Sequence, residues 1–185
     1  RILIKNNFIV RVVMTKAAMK FITPLTFQAV TNNPVLTDQE FWNNQSGNGM
    51  DHINLSRDAD LILIAPASAN FIAKLNSGIC DDLLTNICAA RSCDLIVCPA
   101  MNSFMYYNPP NLKNIDSLKN NGVFFIGPEL GIQACGENGI GRLSEPISIF
   151  SEIEKYFSQP LLKNLKILIS AGATIEKIDD ARAIT

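Results

Sequence analysis

A chain of 185 residues that is 48% hydrophobic and 18% charged can bury one full core with the beginning of a second, which excludes a disordered chain. Sixteen basic residues against 17 acidic ones leave a formal charge of −1, which excludes the strongly basic surface of an electrostatic nucleic-acid binder. No apolar run approaches the roughly 18 residues that cross a bilayer, and the cysteines at 80, 88, 93, 98 and 135, odd in number and without CxxC spacing, read as free thiols of a cytoplasmic protein rather than disulfides or a zinc site.

Arg1 to Asn7 reads as the last turn of a helix ending at the Asn6-Asn7 pair, so the chain is expected to begin partway through a domain. Phe8 to Met14 is rich in β-formers and reads as a buried strand. At its carboxyl end Thr15-Lys16-Ala17-Ala18 offers a hydroxyl and backbone amides that suit either a phosphate or a helix cap. Thr23-Pro24 opens a helix that stops at Asn32-Asn33, and Pro34-Val35-Leu36 is a short peripheral strand. The polar stretch from Thr37 to Met50 predicts a long loop. His52, the only histidine, then begins a short helix; a lone histidine is more often a surface residue than a catalyst, and only its context promotes it.

The centre of the chain is Leu61-Ile62-Leu63-Ile64, a strand buried on both faces that runs into Ala65-Pro66-Ala67-Ser68-Ala69-Asn70. The same syntax returns at Leu95-Ile96-Val97-Cys98 followed by Pro99-Ala100-Met101-Asn102. Two such strands in parallel bring Asn70 and Asn102 together at one carboxyl edge, where α/β sheets bind ligands. Phe71 to Leu75 and Asp81 to Ala90 read as helices, Met101 to Pro110 as irregular, and Leu112, Ile115 and Leu118 as a helix with Gly122 just past its end. Val123 to Ile126 is another strand. The glycines between Gly127 and Arg142 predict a mobile loop carrying Cys135, and Glu145-Pro146 opens a helix with Ile149, Phe150, Ile153 and Phe157 as its core stripe. After a break at Ser158-Gln159-Pro160, residues 166–170 read as a strand entering a phosphate-loop-like turn, Ala171-Gly172-Ala173-Thr174. From the residues alone the chain is an α/β enzyme with a nucleotide or flavin pocket and acid-base chemistry.

Val10 to Ala18, Phe21 to Gln28, Asp51-His52-Ile53, Pro66 to Asn70, Pro99 to Asn102 and Ala134 to Pro146 resemble phosphopantothenoylcysteine decarboxylase, of the flavin-containing cysteine decarboxylase family. The tail from Ile167 through Arg182 resembles the opening of phosphopantothenate-cysteine ligase, which follows the decarboxylase in a bifunctional protein of coenzyme A synthesis. The resemblance implies a flavodoxin-like (Rossmann-like) doubly wound parallel sheet over 1–157, a linker at 158–164 and the start of a ligase domain at 165–185. It also implies that the family's first strand, central in the order 3-2-1-4-5 and lying between those near Val12 and Leu63, is missing together with its phosphate loop. Implied cofactors are FMN here, with CTP and Mg for the ligase part. The implied reaction turns 4'-phosphopantothenoylcysteine into 4'-phosphopantetheine in a trimer-based homo-oligomer, with His52 near a subunit interface. The resemblance makes His52 an active-site residue, Asn102 the ligand of the substrate carboxylate, and Cys135 the proton donor of the reduction step. Thr15, Ala67, Ser68, Asn70 and Met101 fall at flavin-contacting positions. A related cysteine decarboxylase on another substrate and a non-catalytic FMN-binding regulator are the alternatives.

Overall fold

The computed structural model describes residues 1–39, 51–158, 166, 176–177 and 183–184. The chain forms two compact units, Arg1–Lys155 and Tyr156–Thr185.

In the first unit, β3 (Leu61–Ala67), β4 (Asp94–Pro99) and β5 (Phe124–Phe125) form a parallel sheet in that order. Successive side chains of a strand face opposite ways, and both faces of this sheet are covered, so its strands need unbroken apolar runs. Ile62, Ile64, Leu95 and Val97 pack into one core cluster with Ile72, Ile87 and Ile115. Ile96 and Cys98 belong to a second cluster with Ile149 and Ile153, against which Leu61 and Leu63 pack.

A separate parallel pair joins β1 (Val12–Met14) to β2 (Val35–Thr37). Among the described residues no backbone ladder connects β1 to β3, the two strands flanking the position expected for a further central strand. The extended run expected from Phe8 begins only at Val12, because Phe8 belongs to the end of α1 (Ile2–Lys5). Asn7 is left-handed (φ 64°), and the Phe8 N–H donates to the Leu3 carbonyl at 3.1 Å, closing the helix in a Schellman-type turn. The Phe8 ring packs edge-on against Phe150.

The helices follow their start signals. α2 (Pro24–Thr31) ends on left-handed Asn32, and α3 (Asp51–Asp58) carries His52 in its first turn. The Ser68 Oγ caps α4 (Ala69–Ser77) by accepting from the Phe71 N–H at 3.3 Å, and Asp82 and Thr85 form a reciprocal capping box on α5 (Leu83–Ala90). Buried Asp38 also accepts the Leu83 N–H at 2.7 Å. The loop expected from Thr37 therefore starts later: Thr37 lies in β2 and Asp38 is an anchor, while residues 40–50 lie outside the described residues. The segment expected to be irregular after Met101 holds a short helix, α6 (Ser103–Tyr107), followed by α7 (Pro109–Asn120). The expected loop of 127–142 is an antiparallel hairpin, β6 (Glu129–Ile132) with β7 (Asn138–Arg142). Arg142 braces it through Glu129 at 3.3 Å and Glu145 at 2.6 Å. α8 (Pro146–Phe157) buries Ile149, Phe150 and Ile153, but Phe157 is exposed, so the core stripe stops a turn early.

In the second unit β8 (Glu176–Lys177) pairs antiparallel with β9 (Ala183–Ile184). The expected strand at 166–170, apart from Lys166, and the turn at 171–174 lie outside the described residues. Among the described residues no helix is long and apolar enough to cross a membrane.

Candidate functional site

β3 and β4 pair in register from Leu61 opposite Asp94 to Ile64 opposite Val97, and after a one-residue shift Ala67 lies opposite Pro99, where the Ala100 N–H donates to the Ala67 carbonyl at 3.0 Å. The loop with Ala67, Ser68 and Asn70 and the loop with Met101 and Asn102 therefore leave the same carboxyl edge side by side. Ser68 is held by its capping bond, exposed Asn70 sits in the first turn of α4, and Met101 packs against the larger core cluster.

Asn102 is fixed by its own helix. Its Oδ1 caps α6 by accepting from the Phe104 N–H at 2.9 Å, so its amide nitrogen must point the other way. There Nδ2 meets three acceptors on the hairpin, Glu137 Oε2 at 2.6 Å, Gln133 Oε1 at 3.2 Å and Cys135 Sγ at 3.3 Å. The Cys135 thiol lies 3.7 Å from Glu137 Oε2 and 3.8 Å from Gln133 Oε1.

Gln133 docks the hairpin onto the turn that carries Asn102. Its Nε2 donates to Ser103 Oγ at 2.6 Å and to the Ile140 carbonyl at 3.4 Å, and its Oε1 accepts from the Ser103 N–H at 3.1 Å. The Met101 N–H adds a bond to the Gly141 carbonyl at 2.9 Å. A Cβ on Gly139 would run into Ser103 Oγ, and one on Gly141 into the Met101 carbonyl. These glycines permit close approach of two backbones, and at the tip Gly136 takes the left-handed conformation that the turn requires (φ 85°).

The structure brings Asn102 and Cys135 together. Thr15 stands at the end of β1, where its Oγ1 accepts from the Ala18 N–H at 3.2 Å, the capping alternative for that residue. His52 is half-buried in the first turn of α3. Sequence reasoning missed Gln133 and Ser103. No strand periodicity could have marked Gln133, because residues 133–137 form the turn between β6 and β7, where alternate residues share no common face. The thiols separate by burial, since desolvation pushes Cys88 up to about 12 and Cys98 up to about 11, whereas Cys135 is exposed. Among the described residues no cluster of His, Cys, Asp or Glu could hold a metal ion.

The family model described as Flavoprotein matches residues 1–158. The coenzyme A biosynthesis bifunctional protein CoaBC of Haemophilus influenzae is 45% identical over 186 residues, covering 100% of this chain and 46% of that protein. Its Bacillus subtilis counterpart is 42% identical over 179 residues, covering 95% and 44%. The chain thus spans about half the length of the curated relatives it matches, 46% in the first case. Among solved structures, a cysteine-to-serine variant of PPC decarboxylase complexed with pantothenoylaminoethenethiol gives a TM-score of 0.77 at 34% identity, covering 83% of this chain and 85% of that one. The FMN-binding protein AtHal3 gives 0.71 at 36%, covering 80% and 81%. A family match along the whole first unit, and a solved relative of similar length at 34% identity, establish that the chain belongs to the flavoprotein family.

Proposed function

We propose that this chain is the decarboxylase part of a bifunctional coenzyme A protein, converting 4'-phosphopantothenoylcysteine into 4'-phosphopantetheine with bound FMN. The observation that carries the reading is the Asn102 amide, locked by its cap with Nδ2 aimed at Cys135, 3.3 Å away. The donor set fits a flavin: Ser68, Asn70 and the backbone of Ala67 and Met101 are neutral groups at one sheet edge, suited to an uncharged ring, with Thr15 for the phosphate end. When bound, FMN supplies acceptance of two electrons from the substrate thiol and their later return, so there is no net oxidation. Asn102 orients the departing carboxylate, and a neutral amide does so without over-stabilising the ground-state charge as a lysine or arginine would. Cys135 delivers a proton to the product after CO2 has left. In the solved relative a cysteine-to-serine variant holds an aminoethenethiol, a ligand without the carboxylate, which accords with late action by the cysteine.

His52 supplies proton chemistry from α3, and we assign it to a site shared between subunits of a trimer-based oligomer. The exposed apolar side chains of Phe21 (92%), Phe104 (80%) and Ile132 (74%) support self-association. A further parallel strand between β1 and β3, bringing most of the phosphate site, would join the two sheets; their lack of a common ladder among the described residues supports this. The domain boundaries at 157 and 165, the CTP- and Mg-using ligase part and a reducing, cytoplasmic location complete the reading. The test feeds phosphopantothenoylcysteine and a cysteine-ended peptide to the flavin-loaded protein and measures CO2. Release from the phosphopantothenoyl compound is expected. Release from the peptide alone would assign another cysteine decarboxylase, and bound flavin without CO2 from either would assign a regulator.

A further inference from the structure

Glu137 has no part in the chemistry above, yet it makes the shortest contact of the Asn102 amide, 2.6 Å against 3.2 Å to Gln133 and 3.3 Å to Cys135. A carboxylate on that amide is the same pair of groups that binding of a carboxylate substrate would create. We infer that Glu137 is an internal stand-in for the substrate carboxylate, occupying the Asn102 donor in the ligand-free protein and yielding it when substrate enters. This rests on the reading of Asn102 as the carboxylate's ligand.

Two carboxylates repel and one amide NH2 offers only two hydrogens, so both can stay only if a cation neutralises one of them. Among the described residues none does: the Glu137 carboxylate bonds only Asn102 and Cys135, and the hairpin's arginine, Arg142, is engaged by Glu129 and Glu145. Glu137 is exposed near the hairpin tip, so its displaced carboxylate is solvated at once. Gln133 keeps its two bonds to Ser103 whether or not Glu137 is bound, so the exchange leaves the hairpin docked. Leaving Asn102 also carries Glu137 away from the Cys135 thiol, 3.7 Å from it in the ligand-free state, so substrate entry releases that S–H for proton delivery.

The test titrates wild type, Glu137→Gln and Glu137→Ala with pantothenoylcysteine and with pantetheine, which differ by the carboxylate, using calorimetry on the flavin-loaded protein. Both variants are expected to bind pantothenoylcysteine about threefold to tenfold more tightly, the range for an exposed charge-assisted hydrogen bond that no longer competes. Pantetheine affinity is expected not to change, and in Glu137→Gln KM for the phosphorylated substrate falls with little change in kcat. Equal or weaker binding of pantothenoylcysteine, or a parallel shift for both compounds, overturns the stand-in role. If wild type binds neither compound, the substrate reading fails, and the latch is judged without ligand. In that case the Asn102 side-chain NH2 signals must move in Glu137→Gln while the Ser103 amide holds, and unmoved Asn102 signals overturn it.

Discussion

Replacing Gln133 with alanine removes the main polar link between the hairpin and the turn carrying Asn102. Two of its bonds, 2.6 Å to Ser103 Oγ and 3.1 Å from the Ser103 N–H, are well formed and partly buried; the other three, at 3.2, 3.4 and 3.8 Å, are weaker. At about 1 kcal/mol net for each good bond, hairpin docking loses about 2 kcal/mol, a factor of roughly 30 in the docked-to-open ratio. Hydrogen exchange reads this directly. Amides of Glu129–Arg142 should exchange up to about 30-fold faster, while those of β3 and β4, which share no bond with Gln133, keep their protection. CO2 release should fall with hairpin protection, because Asn102 and Cys135 meet only when the hairpin is docked. Unchanged exchange in the hairpin would show that the Met101–Gly141 bond and the glycine contacts hold it alone, and the docking argument would be wrong.

Three further outcomes are expected. His52→Asn should retain flavin absorbance and lose CO2 release, because no other imidazole is present; wild-type turnover would remove His52 from the chemistry. Cys135→Ser should still release CO2 but accumulate a product lacking a pair of hydrogens relative to phosphopantetheine, seen by mass spectrometry, since a hydroxyl is a far weaker acid than a thiol; normal product at the normal rate would make Cys135 a bystander. Cys88 and Cys98 keep their protons up to about pH 12 and 11 when folded, whereas an unfolded thiol loses its own near about 8.5. The unfolded state therefore binds fewer protons above that pH, and stability present below about pH 8.5 should decline as pH rises toward 11. The urea midpoint under reductant should fall over that window less steeply in Cys88→Ala/Cys98→Ala, and identical slopes would discount the buried thiols.

The parallel sheet and the meeting of two loops at its carboxyl edge were legible in the sequence, because burial on two faces demands unbroken runs such as Leu61–Ile64 and Leu95–Cys98, and each run is punctuated by the same Pro-Ala turn. Helix starts at Pro24 and Pro146 were legible for a local reason, since proline's fixed φ and missing N–H suit the first turn of a helix, whereas the start at Pro109 was hidden in a segment read as irregular. Short strand lengths were not, since Phe8 satisfies helical propensity or strand propensity equally until its N–H is claimed by Leu3. The hairpin was hidden because glycine lowers strand propensity, and only contact with Ser103 and Met101 shows that Gly139 and Gly141 exist to let backbones approach. The orientation of the Asn102 amide, and the roles of Gln133 and Glu137 around it, required the tertiary structure. A side chain's partner 31 or 35 residues away is set by how the hairpin folds back over the sheet edge, which no local pattern encodes.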